Sequence, residues 1–423
     1  MLTLILFLSV LVLTFSGCAP TEEETPPASS APAGEEETAR GIHDRVLALD
    51  THVDIPFNYA TPEADPGKRG ESQVDLPKME EGGLDAAFFI VYVGQTERTE
   101  ANYAKAKADA MTKFDAIHRM TEKMYPDRIE LAKSADDVVR IHESGKLVAA
   151  IGIENGYVIG KDLGLLAKYH ELGARYITLA HGGHNDIADS STPQKGLGDA
   201  EEEHGGLSGF GRKVVAEMNR LGIMVDVSHI SKKSMLQAVE ASKAPVIGSH
   251  SSTRALADVP RNMDDEQLKV LAAKGGVMQT VALGSFVKNP PEKQDAMKKL
   301  FEETGISGMG DLSSLSEEKR GSFDRKRKEI DARFPPATVS DFVDHIDHAV
   351  EVMGIDHVGI SSDFDGGGGI EGWNNAAETL NVTRELVRRG YAEPQIAKLW
   401  SGNLLRVWRE VERVAREMQD QTE

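Results

Sequence analysis

Eight short apolar runs alternate with amphipathic stretches along most of this chain, and that alternation restricts the fold more than any other feature. The runs cover residues 46–51, 86–92, 148–154, 176–181, 224–229, 245–250, 276–282 and 357–363. Stretches of helical period follow most of them, among others at 163–172, 211–221, 265–273 and 339–353. Strand, helix and strand in succession make parallel neighbours, because a parallel pair needs a long crossover between its members. The unit is clearest at residues 224–252, where Met-Val-Asp-Val-Ser-His229 and Pro-Val-Ile-Gly-Ser-His250 flank a helical segment at 230–243. Eight such units predict a closed (β/α)8 TIM barrel with its site at the carboxyl ends of the strands. A doubly wound open sheet is the competing α/β architecture. No Gly-x-Gly-x-x-Gly follows the first strand, so its dinucleotide-binding form has little support. Glycines 366–369 follow the eighth strand without the Lys-Ser/Thr of a phosphate loop, and they read as a loop beside the site.

The barrel pattern spans residues 41–415, with 416–423 left as a tail. A charged segment at 289–334 interrupts it between the seventh and eighth strands and predicts a helical insertion, either a lid or oligomer contact or plain surface elaboration. At the other end, residues 1–18 are an apolar run closing on small residues, the pattern of a secretory signal. Ser16-Gly17-Cys18 resembles a bacterial lipobox, in which the cysteine takes a lipid and anchors the exported protein to a membrane facing the periplasm or cell exterior. Phe15 in place of the usual Leu, and the absence of Lys or Arg at the start, depart from that pattern; an ordinary cleaved signal is the alternative. Ala19 after the cysteine favours an outer-membrane destination over the retention that Asp directs. Residues 19–40, rich in Pro, Ala, Ser and Glu, have little to bury and predict a disordered tether.

The net charge of −20 has no basic stripe within it, which argues against nucleic acid as a partner. Cys18 is the single cysteine, so a metal site in this chain must use histidine and carboxylate, a donor set suited to zinc. Such residues close six of the eight strands. The first runs on into His52-Val53-Asp54, whose period of two presents His52 and Asp54 together. The third ends at Glu154, the fourth at His181, the fifth and sixth at His229 and His250, and the eighth at Asp363. Each residue alone reads equally well as a strand end satisfied by a backbone carbonyl. Six ends on one rim are hard to explain by packing. Four histidines and three carboxylates suffice for two divalent ions, which about 3.5–4 Å apart activate a hydroxide and clamp a developing oxyanion. A leftover carboxylate can then shuttle a proton, and a leftover histidine can face the oxyanion. That combination predicts hydrolysis of an amide or ester. No lysine stands at these ends, so a carbamylated-lysine bridge has no support and a Glu bridge does.

The ordered blocks Asp50-Thr-His52-Val-Asp54, Ile151-Gly-Ile-Glu154, Arg175-Tyr-Ile-Thr-Leu-Ala-His181, Gly206-Leu-Ser-Gly-Phe-Gly211, Asp226-Val-Ser-His229, Pro245-Val-Ile-Gly-Ser-His250 and Asp363-Phe-Asp365-Gly resemble the membrane (renal) dipeptidase family, over about residues 46–407. The resemblance implies a binuclear zinc dipeptidase of the metallo-dependent hydrolase type, usually dimeric, acting on dipeptides that include those with C-terminal D-residues. It implies that His52 and Asp54 hold one zinc, His229 and His250 the other, with Glu154 bridging. It further implies His181 over the scissile carbonyl, Asp363 as the proton-transferring group, and Arg261-Asn262 on the substrate carboxylate. Arg254 competes with Arg261 for that last role. Glu154-Asn155-Gly156-Tyr157 departs from the family's frequent Glu-Gly-Gly-His, and Val53 stands where Asn is frequent; neither removes a ligand.

His118, His142, His170 and His184 read as surface, packing or bystander residues, and His345 and His348 as the solvated face of a helix. Two other functions fit parts of the pattern: a barrel hydrolase of another amide, lactone or phosphoester, and a non-catalytic binding lipoprotein. A binding protein has no need of Asp363 beside a full ligand set.

Overall fold

The run Ala-Ala-Phe-Phe-Ile-Val-Tyr is apolar at both strand phases, as a strand buried on both faces must be. Ala86, Phe88 and Ile90 pack with Trp408, while Ala87, Phe89 and Val91 join the layer beneath the helices. The computed structural model describes residues 33–306, 312 and 315–421. Its strands are β1 (Leu49–Asp54), β2 (Ala86–Tyr92), β3 (Ile129–Leu131), β4 (Leu147–Glu154), β5 (Ala174–Thr178), β6 (Met224–Asp226), β7 (Ile247–Ser251), β8 (Val277–Val281) and β9 (Val358–Ser361). Eight of them run parallel in the order β1-β2-β4-β5-β6-β7-β8-β9, and β3 pairs with the first residues of β4. The result is a nearly closed α/β barrel.

One buried side chain bridges the seam between β9 and β1. Buried Asp50 accepts from the amides of His52 and Ser362 at 3.1 and 3.0 Å, and just above it the Asp54 amide bonds the Phe364 carbonyl. At the amino-terminal end of the barrel, Arg406 bonds the carbonyls of Gly275 and Asp356, seating the helix Asn403–Asp420.

Several boundaries differ from expectation for local reasons. The short run Ile-Glu-Leu of β3 has no readable period and is absent from the sequence reading. The helix Ala33–His43 begins inside the stretch read as a tether: it buries Ala39 and Ile42 against Leu380–Arg388 and pairs Glu36 with Arg384. Cys18 and the expected signal lie outside the described residues. At the other end the final helix runs on to Asp420, through most of the residues read as a tail, with Gln419 bonding the Arg220 carbonyl. The described residues of the insertion form two helices, Pro291–Thr304 and Glu317–Asp331, joined by Leu300, Phe323 and Ile330. His345 is not solvated. It lies on the apolar face of Val339–Met353, where it bonds Thr253 and the Val287 carbonyl; only His348 of the pair reaches an acidic partner at the surface, Asp265.

Inside the barrel, Gly152 faces Tyr176, and a Cβ there would lie 2.2–2.6 Å from the phenol ring. The absent side chain lets Tyr176 reach His52 Nδ1 at 2.8 Å. Gly152→Ala is therefore expected to displace the phenol and lower stability by about 1–3 kcal/mol, the usual cost of overpacking, read as a lower urea midpoint at unchanged m-value.

Candidate metal centre

The site is assembled just past the strand ends. His52 and Asp54 lie within β1 and Glu154 closes β4, while His250 lies within β7. His181, His229 and Asp363 follow β5, β6 and β9 by two or three residues rather than ending them. His229 and Asp363 have φ of 67° and 60°, a left-handed backbone uncommon outside glycine, and this turns both side chains off the strand direction. Asn155, directly after the buried carboxylate, also has a positive φ, of 77°. Asparagine tolerates positive φ better than most residues, and here its amide bonds the Val93 carbonyl while its oxygen accepts from the Tyr157 amide. Gly366 gives clearance, since a Cβ there would lie 2.3 Å from Asp54 Oδ2 and 2.5 Å from Asp363 Oδ1.

Glu154 is the centre of the cluster. Its Oε2 lies 3.6 Å from His52 Nε2, while its Oε1 lies 2.9 Å from His229 Nε2, 3.3 Å from His250 Nε2 and 3.6 Å from His181 Nε2. His52 Nε2 is also 3.6 Å from Asp54 Oδ2 and 3.9 Å from Asp363 Oδ1. The donor atoms form three overlapping groups of metal-binding size: His52 with Asp54 and Glu154, Glu154 with His181 and His229, and His52 with His250 and Asp363. His52 Nε2 is buried and has no hydrogen-bond partner, and the Nε2 atoms of His229 and His250 face each other at 2.8 Å. Buried nitrogens left unpaired or aimed at one another are costly, and cations among them would satisfy all three. The residues fit a metal centre.

Burial is the largest single influence on each of these groups, but it does not always prevail. It opposes the charge on Glu154, yet the surrounding histidines outweigh it and hold the carboxyl well below its usual range. It likewise opposes protonation of His52, where Glu154 and Asp54 prevail and raise the imidazole well above its ordinary value. His229 and His250 are pushed well below theirs by burial, reinforced by Arg261, and His181 is lowered also. Neutral imidazoles leave nitrogen lone pairs free for a metal. Asp363 is pushed up to about 8 by burial; Asp54 and Glu154 add to the effect, and His52 and Arg261 oppose it.

Above the cluster lies a cavity of about 1510 Å3, lined by the mouth of the barrel and by Phe301, Arg327 and Phe334 of the insertion region. Arg261 enters it from the loop after β7, its guanidinium over Phe286 and held by the His250 carbonyl and Ser251 Oγ. Arg254 instead pairs with Asp258. Asn262 is brought beside Arg261, but its amide is spent on the Ala257 and Phe286 carbonyls. Tyr92, unassigned from the sequence, lines the cavity with its ring 4.8 Å from that of His181. Its signal was present: it ends β2 in register with Glu154 and at the same inward phase.

The model of the family described as membrane dipeptidase (a peptidase family) matches residues 36–422. Dipeptidase tcpJ of Claviceps purpurea is 34% identical over 355 residues, 83% of this chain and 72% of that protein. Dipeptidase aclJ of Aspergillus oryzae is 33% identical over 353 residues, 82% of this chain and 72% of its own length. Among solved structures, the probable dipeptidase PvdM from Pseudomonas aeruginosa superposes with a TM-score of 0.84 at 32% identity, covering 91% of this chain and all of that one. A metallopeptidase from Rhodobacter sphaeroides, liganded with a phosphinate mimic of the dipeptide L-Ala-D-Ala, shares the fold with a TM-score of 0.66 at 24% identity, over 86% of this chain and 99% of its own.

Because Asn262 supports the loop that carries Arg261, Asn262→Ala is expected to leave the Phe286 carbonyl without this donor and the Ala257 carbonyl with the Val259 amide alone, and to cost about 1–3 kcal/mol. Denaturant unfolding of the purified variant measures that loss.

Proposed function

The chain belongs to the membrane dipeptidase family and is a hydrolase of dipeptides, and we propose that it works with two zinc ions held on either side of Glu154. One observation carries the proposal: the two oxygens of a single buried carboxylate are divided between His52 on one side and His229 with His250 on the other. His52 and Asp54 would hold the first ion and His229 and His250 the second. Two such ions, when bound, supply activation of a water and polarisation of the scissile carbonyl.

The chain's own groups complete the chemistry. Asp363 Oδ1 takes the proton of the attacking water and returns it to the departing amine nitrogen. A carboxyl raised by burial suits a group that must both accept and release a proton near neutrality. His181 carries its Nε2 on the cavity side of Glu154 and, as a neutral imidazole, can donate to the carbonyl oxygen as it gains charge. Arg261 offers the substrate's free carboxylate a fixed, bidentate partner. That preference favours dipeptides over lactones and phosphotriesters. Asn262 acts there only by holding the loop.

Metal analysis joined to a substrate panel tests the reading. The purified protein is expected to carry two zinc ions per chain and to lose dipeptide cleavage on chelation and regain it with zinc. Asp363→Asn should keep both ions and lower kcat by about 10²–10⁴-fold, the range for a lost general acid–base. On the same panel, with L- and D-residues at the second position, Arg261→Met should raise KM by about 10–100-fold for free dipeptides and little for their C-terminal amides, as loss of a charge-assisted bond predicts. Fewer than two metals, with cleavage indifferent to chelator, would sink the proposal.

We also propose that the protein is exported and anchored through a lipid on Cys18, on the support of the apolar run and Ser16-Gly17-Cys18. No helix of the described residues is long and apolar enough to cross a membrane. Cys18→Ser should move the protein from the membrane pellet to the soluble fraction; an unchanged pellet fraction would contradict lipidation.

A further inference from the structure

His250 and His52 each turn Nε2 toward the cluster and Nδ1 away from it, and what stands behind Nδ1 differs. Behind His250 is Ser249 Oγ at 2.8 Å, and that hydroxyl lies 2.6 Å from Asp226 Oδ2. Asp226 is fully buried. Its Oδ1 accepts from the amides of Ser228 and Ser249 at 3.0 and 2.8 Å, and its Oδ2 also accepts from Thr178 Oγ1. The two amides can only donate, which makes Oδ1 an acceptor, and both hydroxyls gather on Oδ2. Asp226 Oδ2 at 2.6 Å is a nearer and stronger acceptor for the single hydrogen of Ser249 than Ser228 Oγ at 3.4 Å, and with that hydrogen spent there His250 Nδ1 is the donor to Ser249. That assignment leaves the lone pair on Nε2, the atom 3.3 Å from Glu154 Oε1.

Behind His52 the same reasoning ends differently. Its Nδ1 meets Tyr176 Oη at 2.8 Å, and the phenol donates at 3.0 Å to the Thr51 carbonyl. The phenol's hydrogen is spent there, so Nδ1 is again the donor; this chain of bonds ends on a neutral carbonyl, although the phenol also lies within reach of Ser249 and the charge of Asp226. Outer partners of this kind orient a metal-binding imidazole, and a negative terminus makes its free nitrogen more basic. The sequence holds the pieces in the blocks Asp226-Val-Ser-His229 and Gly-Ser-His250.

We propose that Asp226 and Ser249 form a carboxylate–hydroxyl–imidazole relay to His250 that makes the His229–His250 position the tighter of the two metal positions. Asp226 and Ser249 are positioning residues, acting through His250. The inference rests on the two-zinc reading above.

Stepwise zinc affinity, measured on the whole protein by competition with a chelating dye, tests it. The wild type should show two distinguishable steps. Ser249→Ala should weaken the stronger step by about 10–100-fold, as loss of an outer-shell partner does, and leave the other nearly unchanged. Thr178→Val removes a hydroxyl from the same Asp226 oxygen without touching His250, and should leave both steps near wild type. If Ser249→Ala does not fold, Asp226→Asn is read in the same assay and must weaken the same step. Equal weakening of both steps, an unchanged profile, or a Thr178→Val effect as large as that of Ser249→Ala would overturn the relay. A wild type that binds fewer than two zinc ions would instead bring down the two-metal reading beneath it.

Discussion

A carboxylate buried at the mouth of a barrel is tolerable only if charge or donors surround it, and Glu154 makes the surrounding groups answer to it. Its two oxygens face different histidines, so the cluster divides into halves around one side chain. Everything nearby is arranged to keep that carboxylate placed. Gly152 leaves room for Tyr176, Tyr176 fixes His52, and Asp50 holds β1 against β9 so that His52 and Asp363 share one rim. The energetic stakes are those of a buried polar network: fully satisfied it specifies one geometry, and partly satisfied it is a liability.

The barrel supplies positions and the loops supply directions. Residues on β1, β4 and β7 enter the site along their strand's inward phase, while His229 and Asp363 need a positive φ to turn toward it. Such backbone is held in place by packing and hydrogen bonding around it rather than by local preference. The two-helix insertion then adds a wall that the eight-strand pattern does not call for. It places Phe301 and Arg327 across the cavity from the barrel mouth.

Much of this was legible in the sequence because the informative residues break an apolar pattern at its end. A His, Asp or Glu closing a buried run has few explanations, and six of them on one rim have fewer. What stayed hidden was polar chemistry between elements far apart in sequence. Asp50 looks like a neighbour of the His52 motif, yet half of its work is on Ser362. His345 has the spacing of a solvated face, and only Thr253 and Val287, contributed by other segments, show that it is buried. Asn262 adjoins Arg261 in sequence but is engaged by loop carbonyls. The helix Ala33–His43 has a composition too acidic to read as packed, and a partner helix some 340 residues on makes it so, as the His43–Thr383 bond shows.

The spacing of the rim residues along the chain has a consequence for assembly. His52, Asp54 and Glu154 come early, whereas His229, His250 and Asp363 come late, and the loop around Lys195–Leu197 divides them. A polypeptide still emerging, or one severed at that loop, holds an incomplete half of the donors on each side. The full donor set is a mark of completeness: His52, Asp54 and Glu154 can gather within the early half, but the groups that add His229, or His250 and Asp363, form only when late strands lie beside early ones.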